Sequence, residues 1–534
     1  MDEITGKVEN GQVQLKLSGH IDSGNASAVE QELTRIAEEA PTAPVDIDAQ
    51  DLQYISSAGL RVLLKLRKSH TDMTIREVSS EVYEVLDMTG FTQMINVEKA
   101  YRRVSVEGCE VIGQGANGKI YRIDKDNVVK VYKNADALQE IQHEREVARL
   151  ALVLGIPTAI SYDIVRVGDS FGSVFELLNA RSFSKILASE PDKMEWCVNE
   201  YVKLMKKIHS TVVPEGDLPD LRETAIGWAR FTSEYLPEEA GKKLIRLIQD
   251  VPHDDHMIHG DYHTKNLELT DDEVLLIDMD TLSVGHPVFE LGSMFNAFIG
   301  FSEYNHDVVK NFLGFDRETS KNFWRKSLER YLNTDDDKTI ETIEDKARIV
   351  GYTRLIRRSI RRGGLEDPER KAEIDLWVKE LTELLEKVDS LFFMVRDTVI
   401  DADRENLPSV TKFFEEILDS AACPVKLRMK ILLAIEEIFV NICNYAYEDK
   451  EGTAQMRSEV YDDTEEPGRK KAVFVFKDQG IPYNPLEKED PDITIPAQER
   501  QVGGLGIFLT KQIMDDMDYV YRDGSNILTM IKYF

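Results

Sequence analysis

The stretch that most constrains this 534-residue chain is His259-Gly260-Asp261-Tyr262-His263-Thr264-Lys265-Asn266, followed after one apolar hairpin by Ile277-Asp278. An Asp and an Asn five positions apart can enter one cleft from one loop, and the hairpin after them presents a second aspartate. Phosphoryl transfer asks for a carboxylate to orient or deprotonate the attacking hydroxyl, and for oxygen ligands to magnesium, a hard cation. Asp261, Asn266 and Asp278 supply these groups. The plainer reading is a chance tripeptide and a turn-capping aspartate, so the rest of the chain has to decide.

Composition narrows the classes. The length predicts about three to four domains. Acidic residues number 97 against 66 basic ones, and the net charge of −31 repels nucleic acid and anionic membranes alike. The chain begins Met1-Asp2-Glu3 without a basic-apolar signal, and no apolar run approaches a bilayer span, so a cytoplasmic protein is expected. Cys109, Cys197, Cys423 and Cys443 have no ligand spacing and are expected to be buried thiols.

Residues 12–18 alternate as a half-buried strand, and a helix follows with Ala28, Leu33 and Ile36 on one face. A second strand, Val45-Asp46-Ile47-Asp48, leads into Ser56-Ser57-Ala58-Gly59-Leu60 and an apolar helix, which predicts a small α/β domain over 1–100. The Gly19-His20-Ile21-Asp22 turn and the Ser-Ser-Ala-Gly-Leu helix start resemble the STAS family, the anti-sigma factor antagonists. That resemblance implies that Ser57 is a phosphorylation site and Asp22 a partner-surface residue, against the alternative of a turn aspartate. A phosphate at a helix start meets free backbone N–H groups and the helix dipole. Ser56 reads as the N-cap.

After Arg102-Arg103 the pattern changes to a glycine-rich turn between short strands, with Gly113, Gly115 and Gly118 placed to let backbone amides close over phosphates. Glycines also serve tight turns for structural reasons. Lys130 sits centrally in the apolar strand Asn127-Val128-Val129-Lys130-Val131-Tyr132, where a lysine is costly unless it meets an anion. The next helix offers Glu144 as its partner; Glu146 lies about 160° away around a regular helix. With His-Gly-Asp and Ile-Asp following in order, residues 104–388 resemble the aminoglycoside phosphotransferase and choline kinase-like families. The resemblance implies a bilobal protein-kinase-like fold with Asp261 as catalytic base, Asn266 and Asp278 as magnesium ligands, and Lys130 on the phosphates of ATP. His286 and Glu290 stand where relatives usually carry Asp, and Glu290 can still serve the structural hydrogen bonds. Arg354, Arg357, Arg358, Arg361 and Arg362 share a predicted helix, read either as a solvated or salt-bridged face or as a dock for an acidic partner domain.

In the last segment, Glu437 and Asn441 are i and i+4 on an apolar helix that Leu433 and Val440 are expected to anchor in the core. Such a pair can orient water and bind magnesium, or simply bond to itself. A strand ends in Asp478-Gln479-Gly480, and Gly503-Gly504-Leu505-Gly506 opens a helix whose amides are free for phosphate. Together these resemble the boxes of GHKL ATPases, most closely the anti-sigma-factor serine kinases, over 391–534. The resemblance implies an α/β sandwich with Glu437 as general base, Asn441 as magnesium ligand, Asp478 and Gly480 at the adenine, and 484–502 as a lid.

The fold expected is therefore a multidomain α/β and α+β fusion. STAS proteins and GHKL serine kinases are substrate and enzyme of partner-switching pathways, which implies that the last domain phosphorylates Ser57, with ATP and Mg2+ as cofactors and anti-sigma or sigma-type regulators as partners. An intramolecular STAS–GHKL contact, a homodimer and a small-molecule phosphate acceptor are compatible with this. Two alternatives stay open: a small-molecule phosphotransferase regulated by its flanks, and a nucleotide-sensing scaffold.

Overall fold

The structure is a computed structural model that describes residues 4–487 and 505–534, apart from residues 10, 116, 117, 135, 136, 272, 449, 464 and 467. The described chain gathers into two compact units. One comprises residues 1–142 and 161–177, the other 143–160 and 178–534.

The first unit holds two sheets. In the five-stranded one, Ile4–Glu9 pairs antiparallel with Gln12–Ile21, which continues in parallel to Val45–Ile55, Met73–Val78 and Asn96–Lys99. Val13, Leu15 and Leu17 alternate inward along the second strand and meet Leu33, Ile36, Leu63 and Leu66 of the flanking helices. On the helix Ala26–Glu38, Ala26 and Val29 are buried with Leu33 and Ile36, whereas Ala28 is half-buried. Positions 29, 33 and 36 are the closer match to helical period. The six-stranded sheet runs Arg102–Arg103, Asp163–Val167, Ser170–Glu176, Asn127–Tyr132, Gly118–Arg122, Glu110–Gln114. Its last hairpin carries the glycine-rich turn, and its fourth strand carries Lys130.

The second unit joins a helical body to an antiparallel sheet. The helix Pro287–Phe298 is buried along its whole length at the centre of the body. The sheet order is Met394–Asp401, Thr453–Asp462, Lys470–Asp478, Ser525–Tyr533, Asp516–Arg522. One face packs on the helices Leu407–Ser420, Val425–Asn441 and Leu505–Ile513, through Phe414, Ile435, Phe439, Phe474 and Phe476. Along Thr453–Asp462, Ala454, Met456 and Val460 face those helices, while Tyr461 joins the buried cluster of the helical body together with Phe393 and Val395.

That second face is held by polar contacts out of water. Arg396 donates to Asp254 at 2.5 Å, both side chains 6% exposed. Arg457 bonds Glu459 and donates to the Tyr331 carbonyl at 3.2 Å. Lys346 bonds Asp462 and donates to the Phe392 carbonyl at 2.8 Å. His286, whose Nδ1 accepts from the Val288 N–H, donates through Nε2 to the Phe393 carbonyl. Burial pushes the His286 imidazole down to about 4 against the attraction of Asp254, with Arg396 and Lys346 adding to the depression. His209 is shifted down by burial too. A histidine whose folded value lies below its unfolded value of 6.5 leaves stability intact at higher pH and withdraws it as the unfolded chain takes up the proton first. The urea midpoint of the second unit is therefore expected to fall between pH 6.5 and 4; a flat profile over that window would contradict neutral burial.

Cys197 and Cys423 are buried, as the sequence predicts; Cys109 and Cys443 are only half-buried, so that expectation holds for two of the four. Among the described residues no helix is long and apolar enough to cross a membrane.

Candidate phosphotransfer sites

The loop at 259–266 is fixed by its backbone rather than by its catalytic-type side chains. The fully buried Glu290 carboxylate accepts from the His259 N–H at 2.5 Å and the Gly260 N–H at 3.0 Å. Gly260 has φ +78, and a Cβ there would lie 2.7 Å from the Thr281 carbonyl, so only glycine fits. Tyr201 and Tyr262 each donate a hydroxyl to the other's carbonyl. The Ser293 hydroxyl and Arg354 both donate to the Gly260 carbonyl, at 2.9 and 2.6 Å. Glu290 thus makes the structural hydrogen bonds that the sequence suggested. Ser293, Tyr201 and the contact of Arg354 were not legible, because they come from helices far along the chain.

Asp261 is left half-buried with its carboxylate 3.6 Å from His263 Nε2. Burial pushes its carboxyl up, but the hydrogen bond and charge of His263, with the charges of Arg354 and His259, outweigh this and hold it well below the usual range. Asn266 donates to the Asp261 carbonyl at 3.0 Å, and its own carbonyl accepts from Ile277 N–H, which draws the two arms together. Asp278 is exposed and takes a left-handed conformation, φ +64. Such a backbone is costly for a non-glycine residue and recurs at functional sites.

In the other unit, Lys130 is half-buried with its ammonium 5.1 Å from the Tyr132 ring centroid. A Cβ on Gly118 would lie 2.2 Å from the Val131 carbonyl, which gives this glycine a packing role in the hairpin; Gly113 would touch Ile120, and Gly115 faces open space. On the helix Leu138–Val153, Glu144 is half-buried and Glu146 exposed, the orientation expected from helical geometry.

Glu437 and Asn441 are both half-buried near the end of Val425–Asn441, where the helix passes into one π-turn, Ile442–Ala446. π-turns interrupt α-helices mostly at functional sites. Gly506 lies directly on Glu437: a Cβ there would come within 2.0 Å of Oε2. Asp478, 7% exposed, accepts from the Gly480 N–H at 2.9 Å and from the Asn526 amide at 2.8 Å. Asn526 also donates to the Ile481 carbonyl and accepts from Tyr519, so it orients the carboxylate. It follows a plain Asp-Gly hairpin and gave no signal of this. Gly480 packs on the Ala446 carbonyl, which ties the Asp478 turn to the π-turn. Leu433 departs from expectation: it is 42% exposed, and Ala434, Ile435 and Ile438 fill the core instead. Gly503, Gly504 and most of the 484–502 segment lie outside the described residues.

Ser57 is exposed at the first turn of the helix Ser57–Ser69, while Ser56 is half-buried and its hydroxyl accepts from Ala58 and Gly59 N–H as the N-cap. Asp22 is exposed and accepts from the Gly24 N–H at 2.7 Å, the geometry of a turn aspartate.

Comparison with known proteins matches three family models to this chain: the STAS domain over residues 3–104, the phosphotransferase enzyme family over 108–321, and the histidine kinase-like ATPase domain over 400–532. BtrV of Bordetella bronchiseptica, provisionally named an anti-sigma factor antagonist, is 34% identical over 101 residues, which cover 18% of this chain and 82% of that protein. The serine-protein kinase RsbW of Bacillus cereus is 30% identical over 105 residues, 19% of this chain and 61% of its own length. Among solved structures, the ADP-bound aminoglycoside phosphotransferase APH(2'')-Ib aligns with 57% of this chain and 99% of its own at 16% identity and a TM-score of 0.37. The domain set is that of a partner-switching signalling protein with ATP-dependent phosphotransferase activity. Through its first hundred residues the chain belongs to the STAS-domain anti-sigma factor antagonists, joined here in one polypeptide to a phosphotransferase-family domain and a histidine kinase-like ATPase domain.

Proposed function

We propose that the histidine kinase-like ATPase domain transfers phosphate from ATP to Ser57, so that one polypeptide carries both the serine kinase and the substrate of a partner switch. The observation that carries this reading is Ser57 itself: an exposed hydroxyl at a helix start, beside a Ser56 already committed as the cap. A phosphate there would sit at the positive end of the helix dipole and add negative charge to the surface. On the enzyme side, Glu437 is the general base, Asn441 one turn on is the oxygen donor for magnesium, and Asp478 receives the adenine amino group. Gly506 leaves the space that the Glu437 carboxylate occupies. Anti-sigma or sigma-type regulators are the partners whose docking Ser57 phosphate controls.

The Asp261 loop forms a second phosphotransferase site. Asp261 orients the acceptor hydroxyl, and Asn266 and Asp278 offer the oxygen donors that suit magnesium, which neutralises nucleotide phosphates when bound. Lys130, with Glu144, belongs to the same reaction by resemblance.

The test is phosphosite mapping of the full-length protein after incubation with magnesium and ATP, in wild type, Asp261→Asn and Glu437→Ala. Phosphate on Ser57 in wild type and Asp261→Asn, absent in Glu437→Ala, is expected. Ser57 phosphate lost only in Asp261→Asn would transfer the protein-kinase role to the middle domain, and its absence throughout would sink the internal switch.

A further inference from the structure

Of the two forms of the plainer reading, a solvated or a salt-bridged face, the five arginines of the helix Asp337–Arg361 and its C-terminus do not take the salt-bridged one. Among the described residues none of Arg354, Arg357, Arg358, Arg361 or Arg362 forms a salt bridge, in a protein carrying 97 acidic residues. Pairing is available earlier on the helix: Arg348 bonds Asp345 of its own helix at 3.2 Å and Glu380 of the helix Pro368–Lys387 at 2.8 Å. Two of the five guanidinium groups rest on aromatic faces. Arg354 lies 5.5 Å from the Trp228 ring centroid and Arg358 5.2 Å from that of Phe301. Phe301 stacks edge-on with Phe312, whose ring also carries the Lys265 ammonium at 5.3 Å and meets His263 edge-on. Rings hold cations in place without neutralising them.

Arg354 and Arg358 both act on the Asp261 carboxylate. Arg354 donates to the Gly260 carbonyl next to Asp261, and His263 lies against Asp261 itself. Burial and then the mutual repulsion of the arginines push the Arg357 and Arg358 guanidinium groups down, with Asp261 opposing the shift at Arg358. A run of like charges on one helix, two of them seated on aromatic rings, is a receptor for a carboxylate or a phosphate, which guanidinium groups bind in a bidentate fork. It would repel a cationic acceptor.

We propose that the acceptor phosphorylated at Asp261 is a hydroxyl-bearing small anion, its carboxylate or phosphate group held by Arg358 and Arg361 while Arg354 fixes the catalytic loop. The acceptor oxygen forms the new bond to the γ-phosphorus of ATP as the bond to ADP breaks. ADP leaves, and the hydroxyl proton passes to the Asp261 carboxylate. The helix Asp337–Arg361 sets the spacing: positions 354, 358 and 361 share one face. This inference concerns the middle site and stands apart from the transfer to Ser57.

The experiment is calorimetric titration of the full-length protein, with nucleotide sites filled by a non-hydrolysable ATP analogue, using glycerol 3-phosphate and choline as matched hydroxyl-bearing probes of opposite charge. Glycerol 3-phosphate is expected to bind and to weaken about tenfold or more in Arg358→Ala, with partial recovery in Arg358→Lys, and also to weaken in Arg361→Ala. Choline is expected not to bind. Both arginines are exposed, so these variants should fold, and an unchanged circular dichroism melt checks this. Binding of choline in preference to glycerol 3-phosphate, anion binding indifferent to both substitutions, or binding of poly-glutamate alone would overturn the proposal.

Discussion

Asp261→Asn is expected to lower ATP turnover at the middle site by about 10²–10⁴-fold, the usual worth of a positioned general base. The substitution keeps the shape of the side chain and removes its charge. The loop should keep its fold, because it is held through Gly260, His259 and Tyr262 by Glu290, Ser293, Arg354 and Tyr201 as well as by the contact of the Asp261 carboxylate with His263. ADP release measured in a Glu437→Ala background isolates this site, with an unchanged thermal melt as the control. The pH dependence has a definite sign. His263 and Arg354 hold the Asp261 carboxyl below the ordinary range, so it stays ionised throughout the physiological range and the wild-type rate should not fall through Asp261 protonation above about pH 4. A carboxylate this weakly basic suits a reaction in which the hydroxyl proton leaves late and orientation is most of the task. A loss smaller than about tenfold would remove Asp261 from the reaction.

Arg396→Ala should be the most destabilising substitution at the contact between the terminal sheet and the helical body. Asp254 and Arg396 are each 6% exposed, and removing the guanidinium leaves a buried carboxylate to His256, whose N–H and ring bond its other oxygen. Breaking a buried pair from one side costs about 3–5 kcal/mol, whereas replacing both partners by apolar residues is often close to neutral. The double variant Asp254→Leu/Arg396→Leu is therefore expected to recover most of the loss. Hydrogen exchange over 394–401 and 454–462 reads the effect directly, and equal destabilisation in the single and double variants would show that the pair is not the determinant. The same contact reaches toward the Asp261 loop: Arg457 holds the Tyr331 carbonyl, the Tyr331 hydroxyl meets His209 at 2.8 Å, and His209 lies 3.8 Å from Glu290.

The sequence by itself determined the local pieces. Strand alternation over 12–18, the capping role of Ser56, the i, i+4 pairing of Glu437 with Asn441 and the loop linking Asp261 to Asn266 all depend on spacing within a few residues, where backbone geometry leaves few choices. Only the tertiary structure decided which distant groups meet. The support of the Asp261 loop by Tyr201, Ser293 and Arg354 joins residues 33 to 94 positions apart, and Asn526 reaches Asp478 across 48. The charged residues Arg396, Arg457, Glu459 and Lys346 carry no local signal of burial, yet the fold buries them between sheet and helices. A charge can be buried only where its partner arrives with it, and no local pattern records that arrival. The arginine cluster shows the converse: its sequence left a solvated face, a salt-bridged face and a dock open, and the fold seated Arg354 and Arg358 on aromatic rings without a salt bridge among the described residues.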